Sequence, residues 1–146
     1  WERLKADERS ARGQGDVLSD VPLSLPALSR AAKLGKRAAR VGFDWPDASG
    51  ARDKVHEELR EFDAAVQTGD EAQMREEMGD LLLAMTSWAR HLRLDPETCL
   101  RQANAKFETR FAHMEAQARS RGLEIGQLDA AGWDALWTAA KAPRKP

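Results

Sequence analysis

The segment Lys54–Leu83, KVHEELREFDAAVQTGDEAQMREEMGDLLL, decides how the rest of the chain is read. It holds two carboxylate pairs at one spacing, Glu58 with Glu61 and Glu77 with Asp80, on either side of a polar break at Thr68-Gly69-Asp70. Val55, Leu59, Phe62 and Val66 before the break, and Met74, Met78, Leu81, Leu82, Met85 and Ala89 after it, recur with helical period. Each flank therefore reads as an amphipathic helix, and each pair stands one turn apart on one face.

With an advance of about 100° per residue, Glu58 lies about 80–100° from the centre of its apolar stripe and Glu61 about 140° in the same sense. Glu77 and Asp80 lie about 80° and about 140° from theirs, again in that sense. A short break favours an antiparallel hairpin. Packed stripe to stripe, such a hairpin brings equal signed offsets out on the same side, so the four carboxylates converge along one edge. An isolated EExxE in a chain with 32% charged residues is most often a solvated helix face. Two matched pairs are different, because four like charges brought together repel, and no Lys or Arg stands where it would neutralise both pairs. A hard divalent cation resolves that repulsion. Magnesium suits the site, since it takes carboxylate oxygens, retains water and shares itself with substrate phosphates.

EExxE at Glu57–Glu61 followed by ExxD at Glu77–Asp80 resembles the MazG-type all-α nucleoside triphosphate pyrophosphohydrolases. KRAARVGFDWPD before these motifs, EEMGDLL within them, and ARHL and ANAKFETRF after them agree in order. The resemblance runs from about Leu25 to Lys141 and looks closest to the C-terminal domain of two-domain MazG proteins. It implies hydrolysis between the α and β phosphates of a nucleoside triphosphate, giving a monophosphate and pyrophosphate. It also implies Glu58, Glu61, Glu77 and Asp80 as the catalytic magnesium ligands, with manganese as a substitute ion. Lys54, Lys106 and Arg110 would hold phosphates and Trp137, in ALWTAAK, would pack on the nucleotide, while Gln73 and Asn104 are substrate-side candidates by their position alone. A homodimer is implied too, with a tail able to serve the neighbouring subunit's site.

The residues themselves support several of these roles. Lys54 and Gln73 stand one turn before Glu58 and Glu77, within reach of a phosphate. Lys106 and Arg110, four apart, form a pair suited to a phosphate tail, Arg by bidentate contact. Glu57 points about 160° from the stripe centre and is a weaker candidate. His56, His91 and His113 lack ligand spacing and read as packing or surface residues.

At 146 residues the chain offers one domain's worth of core. A net charge of −1 gives no electrostatic case for nucleic acid or a membrane surface, and no apolar run reaches the roughly 20 residues of a bilayer span. The lone Cys99 excludes an internal disulfide and, with no signal-peptide pattern, fits a cytoplasmic protein. The expected organisation is a linker or N-terminal extension over 1–22, the MazG-like domain over 23–141, and a disordered tail over 142–146. The first residue is Trp1, so a longer parent protein is expected.

Ser24 is the expected N-cap of a helix to about Val41, whose face carries Arg30, Lys33, Lys36, Arg37 and Arg40. Its LGKRA segment lacks the further Gly and Ser/Thr of a phosphate-binding P-loop. Phe43 and Trp45 sit in a loop and are candidates to plug the core. Gly79, inside the second hairpin helix, suggests a close approach by a helix or a ligand. Asp95-Pro96 starts a long helix ending near Gly122, and Asp129 caps a short last one. No strand pattern is present, so the fold class is all-α, a helical bundle. Two rival functions are a narrower dUTP- or dCTP-type hydrolase and an inactive helical dimerisation module.

Overall fold

The computed structural model describes residues 1–5 and 15–142. Within the expected N-terminal extension residues 2–5 are helical and 6–14 lie outside the described residues, as does the tail beyond 142. All regular structure among the described residues is helical: α1 (Ala27–Arg40), α2 (Ala48–Thr68), α3 (Glu71–His91), α4 (Pro96–Ser120), a 3-10 turn (Ile125–Gln127) and α5 (Ala130–Lys141). The chain forms two compact units divided between Glu97 and Thr98.

Helix starts follow local chemistry. The Asp47 carboxylate accepts from the amides of Ser49 and Gly50, and that of Asp70 from Ala72 and Gln73. Asp95 accepts from Glu97 N at 3.2 Å, and Asp129 from Gly132 N at 2.8 Å. Each satisfies amides that a helix N-terminus leaves without partners. Ser24 does not cap α1; Pro26 holds that position without a side-chain hydrogen bond. Between α2 and α3, Gly69 adopts φ 71°, the left-handed conformation that ends a helix cheaply only at glycine.

In the first unit α3 packs against both α1 and α2. The seam between α2 and α3 follows the expected apolar stripes only in part, with Val55, Phe62, Met74 and Leu81 half-buried. The buried residues of α2 are Ala51, Glu58 and Ala65, spaced by sevens. On α3 the same spacing runs through the half-buried Glu77, the buried Ala84 and the half-buried His91. A seven-residue step is two helical turns, so these residues form the contact line. Small alanines let the backbones approach. Leu59, Val66, Met78, Leu82 and Met85 are instead left 37–50% exposed beside that line.

The next step along the register is an ion-pair clamp. Arg90 of α3 grips Asp44, in the α1–α2 loop, through two hydrogen bonds of 2.6 and 3.1 Å, and His91 Nε2 lies 2.9 Å from Asp44 Oδ1. The Arg90 hydrogen bonds, aided by that of His91, hold the Asp44 carboxyl down at about 2, below its ordinary 3.8. A carboxyl lowered on folding contributes stability above its unfolded value that vanishes as pH falls through the folded one. Asp44→Asn should therefore lower stability by about 1–2 kcal/mol at neutral pH, because it removes a charge-assisted hydrogen bond. Thermal melts of the two proteins should converge as pH falls from about 4 to 2.

Phe43 and Trp45 do not plug the core. Phe43 is 82% exposed, and Trp45 lies over Gly50 in the first turn of α2, where any Cβ would meet the indole at 3.1 Å. Gly79 has nothing of this chain within 4 Å of the place a Cβ would occupy, so no helix among the described residues makes the expected approach. Gly35 of α1 is under close approach as well, since a Cβ there would stand 3.1 Å from Arg90 Nε.

The second unit is built on α4 and α5. Met114, Ala118 and Leu136 form its buried centre, with Phe111, Ile125, Leu128, Trp133, Trp137 and Ala140 around them. Aromatic pairs at 5.9–6.1 Å link Phe107 to Phe111 and Trp137, and Phe111 to Trp133. That spacing is the usual one for offset or tilted rings.

Candidate metal centre on the helix hairpin

The hairpin register sets carboxylate against carboxylate. One oxygen each from Glu58, Glu77 and Asp80 lies within 4.8 Å of the others. Glu58 belongs to α2 and is buried, while Glu77 and Asp80 belong to α3 and stand progressively closer to solvent. The Oε2 atoms of both Glu58 and Glu77 are buried without a hydrogen-bond partner. An orphaned buried carboxylate oxygen is costly, and two beside one another are more so. An all-oxygen donor set of this charge fits a hard divalent cation.

Glu61 stands beside this group at the exposed rim. A hydrogen bond shared with Glu58, then the charge of Glu58, slight desolvation, and the charges of Glu77 and Glu57 hold its carboxyl above the usual carboxylate range. The fourth expected carboxylate thus feels Glu58 and Glu77, although Glu58, Glu77 and Asp80 are the tight cluster. Lys54 Nζ lies 2.9 Å from Glu58 Oε1 and 3.3 Å from Glu57 Oε1. It holds one oxygen of Glu58 while the other remains unpartnered, and these contacts raise its own pKa, Glu58 first. Gln73 turns to Thr68, whose hydroxyl donates to Gln73 Oε1 at 3.3 Å.

The expected substrate residues of α4 and α5 form a separate group within the second unit. Arg110 lies over the Trp137 ring at 5.5 Å and Lys141 at 5.9 Å, with Phe107 packed against the same indole. Asn104 and Lys106 are exposed. Sequence reasoning missed the Asp44–Arg90–His91 clamp, which joins residues 46 and 47 positions apart and leaves no local signature. It also missed the burial of Glu58, for which the alanines seven residues to either side were the available signal.

An all-α chain with a carboxylate cluster on a helix hairpin defines a class: helical proteins whose acidic edge could hold a metal ion. Residues 49–115 match the MazG nucleotide pyrophosphohydrolase domain, which covers the hairpin and most of α4. Over those residues the chain is similar to the MazG family. It is 44% identical over 143 residues to the nucleoside triphosphate pyrophosphohydrolase of Escherichia coli (strain K12), covering 97% of this chain and 54% of that protein. It is 38% identical over 141 residues to the nucleoside triphosphate pyrophosphohydrolase/pyrophosphatase MazG of Thermotoga maritima, with the same coverage of 97% and 54%. The chain thus spans about half the length of these curated relatives. No helix among the described residues is long and apolar enough to cross a membrane.

Proposed function

We propose that this chain hydrolyses nucleoside triphosphates, ribo- or deoxyribo-, to a nucleoside monophosphate and pyrophosphate, with magnesium held by Glu58, Glu61, Glu77 and Asp80. The observation that carries this reading is the pair of buried, unpartnered oxygens on Glu58 and Glu77 beside Asp80. The names of the relatives support the reaction. When bound, a divalent cation neutralises phosphate charge and lowers the pKa of its water.

The chain's own residues do the rest. Lys54 pins Glu58 Oε1 and so orients the carboxylate. Lys106 and Arg110 neutralise the phosphate tail, and Trp137, braced by Phe107, offers a flat surface to the base. The half-exposed apolar face of the hairpin supports a homodimer. The groove of about 440 Å³ along Phe62, Met74, Met78, Gly79 and Leu82 belongs to that face. The setting is cytoplasmic and the role is clearance of nucleotides from the pool.

Magnesium-dependent release of pyrophosphate across the eight common (d)NTPs tests this reading. Monophosphate and pyrophosphate in equal amounts are expected. Release of orthophosphate and diphosphate, or no turnover, contradicts it. Activity on dUTP or dCTP alone selects the narrower hydrolase.

Arg110→Ala should lower kcat/KM by the equivalent of about 1.5–3 kcal/mol, one charge-assisted hydrogen bond. The melt should move little, since the cation–π interaction it removes is worth about 0.5–1 kcal/mol at a partly exposed site. Normal kinetics beside a lowered melting point would assign Arg110 to structure alone.

A further inference from the structure

Helix α1 carries five cations and no acid. At about 100° per residue, Arg30, Lys33, Lys36, Arg37 and Arg40 all fall within an arc of about 120°. A cleft of about 330 Å³ runs along this face, lined by Ser29, Lys33, Lys36, Arg37 and Arg40 and closed by Arg90 of α3. Three of its cations are already balanced. Arg37 pairs with Asp20 at 3.0 Å, Arg40 with Glu2 at 3.3 Å, and Arg90 with Asp44. Lys33 and Lys36 have no ion pair among the described residues, and the buried Nε atoms of Arg30 and Arg90 have no hydrogen-bond partner.

The far wall is built in place. Asp44 fixes the Arg90 guanidinium through both carboxylate oxygens, and Gly35 lets its Nε lie against α1 where a Cβ would crowd it at 3.1 Å. A mid-helix glycine is less favourable than alanine, so the close approach has a local cost. We propose that this cleft is a second ligand site, which binds a small phosphate-bearing anion of pyrophosphate size. Two unbalanced lysines, beside an arginine that Asp44 holds in place, match a compact dianion. The lining contains no aromatic ring, so recognition is of the phosphates and not of a base. An extended nucleic-acid backbone would need a longer run of unbalanced cations than one cleft supplies. Arg90 lies ten residues beyond Asp80 on α3, about 15 Å along the helix, so one pyrophosphate cannot occupy both places.

Calorimetric titration of inorganic pyrophosphate in EDTA tests the proposal, because without a cation the carboxylate cluster repels the ligand. The wild type should bind one pyrophosphate per chain, more weakly as salt rises. Lys33→Ala/Lys36→Ala should bind about tenfold or more weakly, while Arg52→Ala on α2 matches the wild type. Circular dichroism confirms that each variant is folded. Glu77→Gln should retain pyrophosphate binding in EDTA, and the double lysine variant should retain nucleotide hydrolysis, which separates this site from the metal centre. Absence of binding by the wild type, equal affinity in the double variant, or tighter binding of a short DNA duplex at the same ionic strength overturns the proposal. Loss of hydrolysis in parallel with pyrophosphate binding also overturns it, since the cleft would then be part of the substrate site.

Discussion

Glu77→Gln should melt higher than the unsubstituted protein in metal-free buffer, and it should lose nucleotide hydrolysis. The carboxylate it removes has a buried oxygen without a partner, within 4.8 Å of two further carboxylates. At that separation two like charges repel by about 3 kcal/mol at an effective dielectric of 20, and water at the exposed Asp80 reduces this to about 1 kcal/mol. The glutamine amide can also donate to Glu58. Stability without metal therefore rises by about 1 kcal/mol while turnover falls by about 10³-fold, the scale of removing one electrostatic interaction with the transition state. Melts in EDTA and steady-state rates in magnesium check the two halves. A variant that melts lower and turns over normally would make Glu77 an ordinary polar residue of the seam.

Magnesium should raise the melting temperature of the wild type. A ligand bound only by the folded state adds about 2.7 kcal/mol at a hundredfold excess over its dissociation constant. For a domain of this size that corresponds to several degrees. The shift should shrink as pH falls. Glu61 is held above the usual carboxylate range by Glu58 and its neighbours, so in the folded protein it takes up a proton earlier than in the unfolded chain. Protonation relieves the same repulsion that the cation relieves, and the two compete. Melts at several pH values between about 7 and 5, each with and without magnesium, check this. An unchanged midpoint at millimolar magnesium and neutral pH would contradict it.

Helix limits were legible because they rest on local chemistry. Asp95-Pro96 and Asp129 each mark a start that the backbone confirms, whereas Ser24 does not cap α1. The meeting of Glu58 with Glu77 and Asp80 was legible too, because matched spacing on two helices joined by a tight turn fixes which residues meet. The buried face was legible only in part: Val55, Phe62, Met74 and Leu81 of the expected stripes are half-buried. Large apolar residues drew the expected seam through Leu59 and Met78, whereas the helices touch along Ala51, Glu58, Ala65 and Ala84. Small side chains carry little hydrophobic signal, yet they set how closely two backbones approach. Their close approach buries Glu58 and displaces the larger side chains to a half-exposed face. Asp44 with Arg90, and Gly35 beneath Arg90, were hidden for another reason: these pairings are tertiary and follow no period.

The central claim is that the hairpin carboxylates form one divalent-cation site. Titration with manganese(II), followed by the electron paramagnetic resonance signal of the free ion, measures this without reference to turnover. The account predicts saturable binding by the wild type that magnesium displaces and that Glu58→Gln and Glu77→Gln each weaken by at least about tenfold, the scale of one missing ligand. Manganese binding that is absent, or that survives both substitutions unchanged, would contradict it.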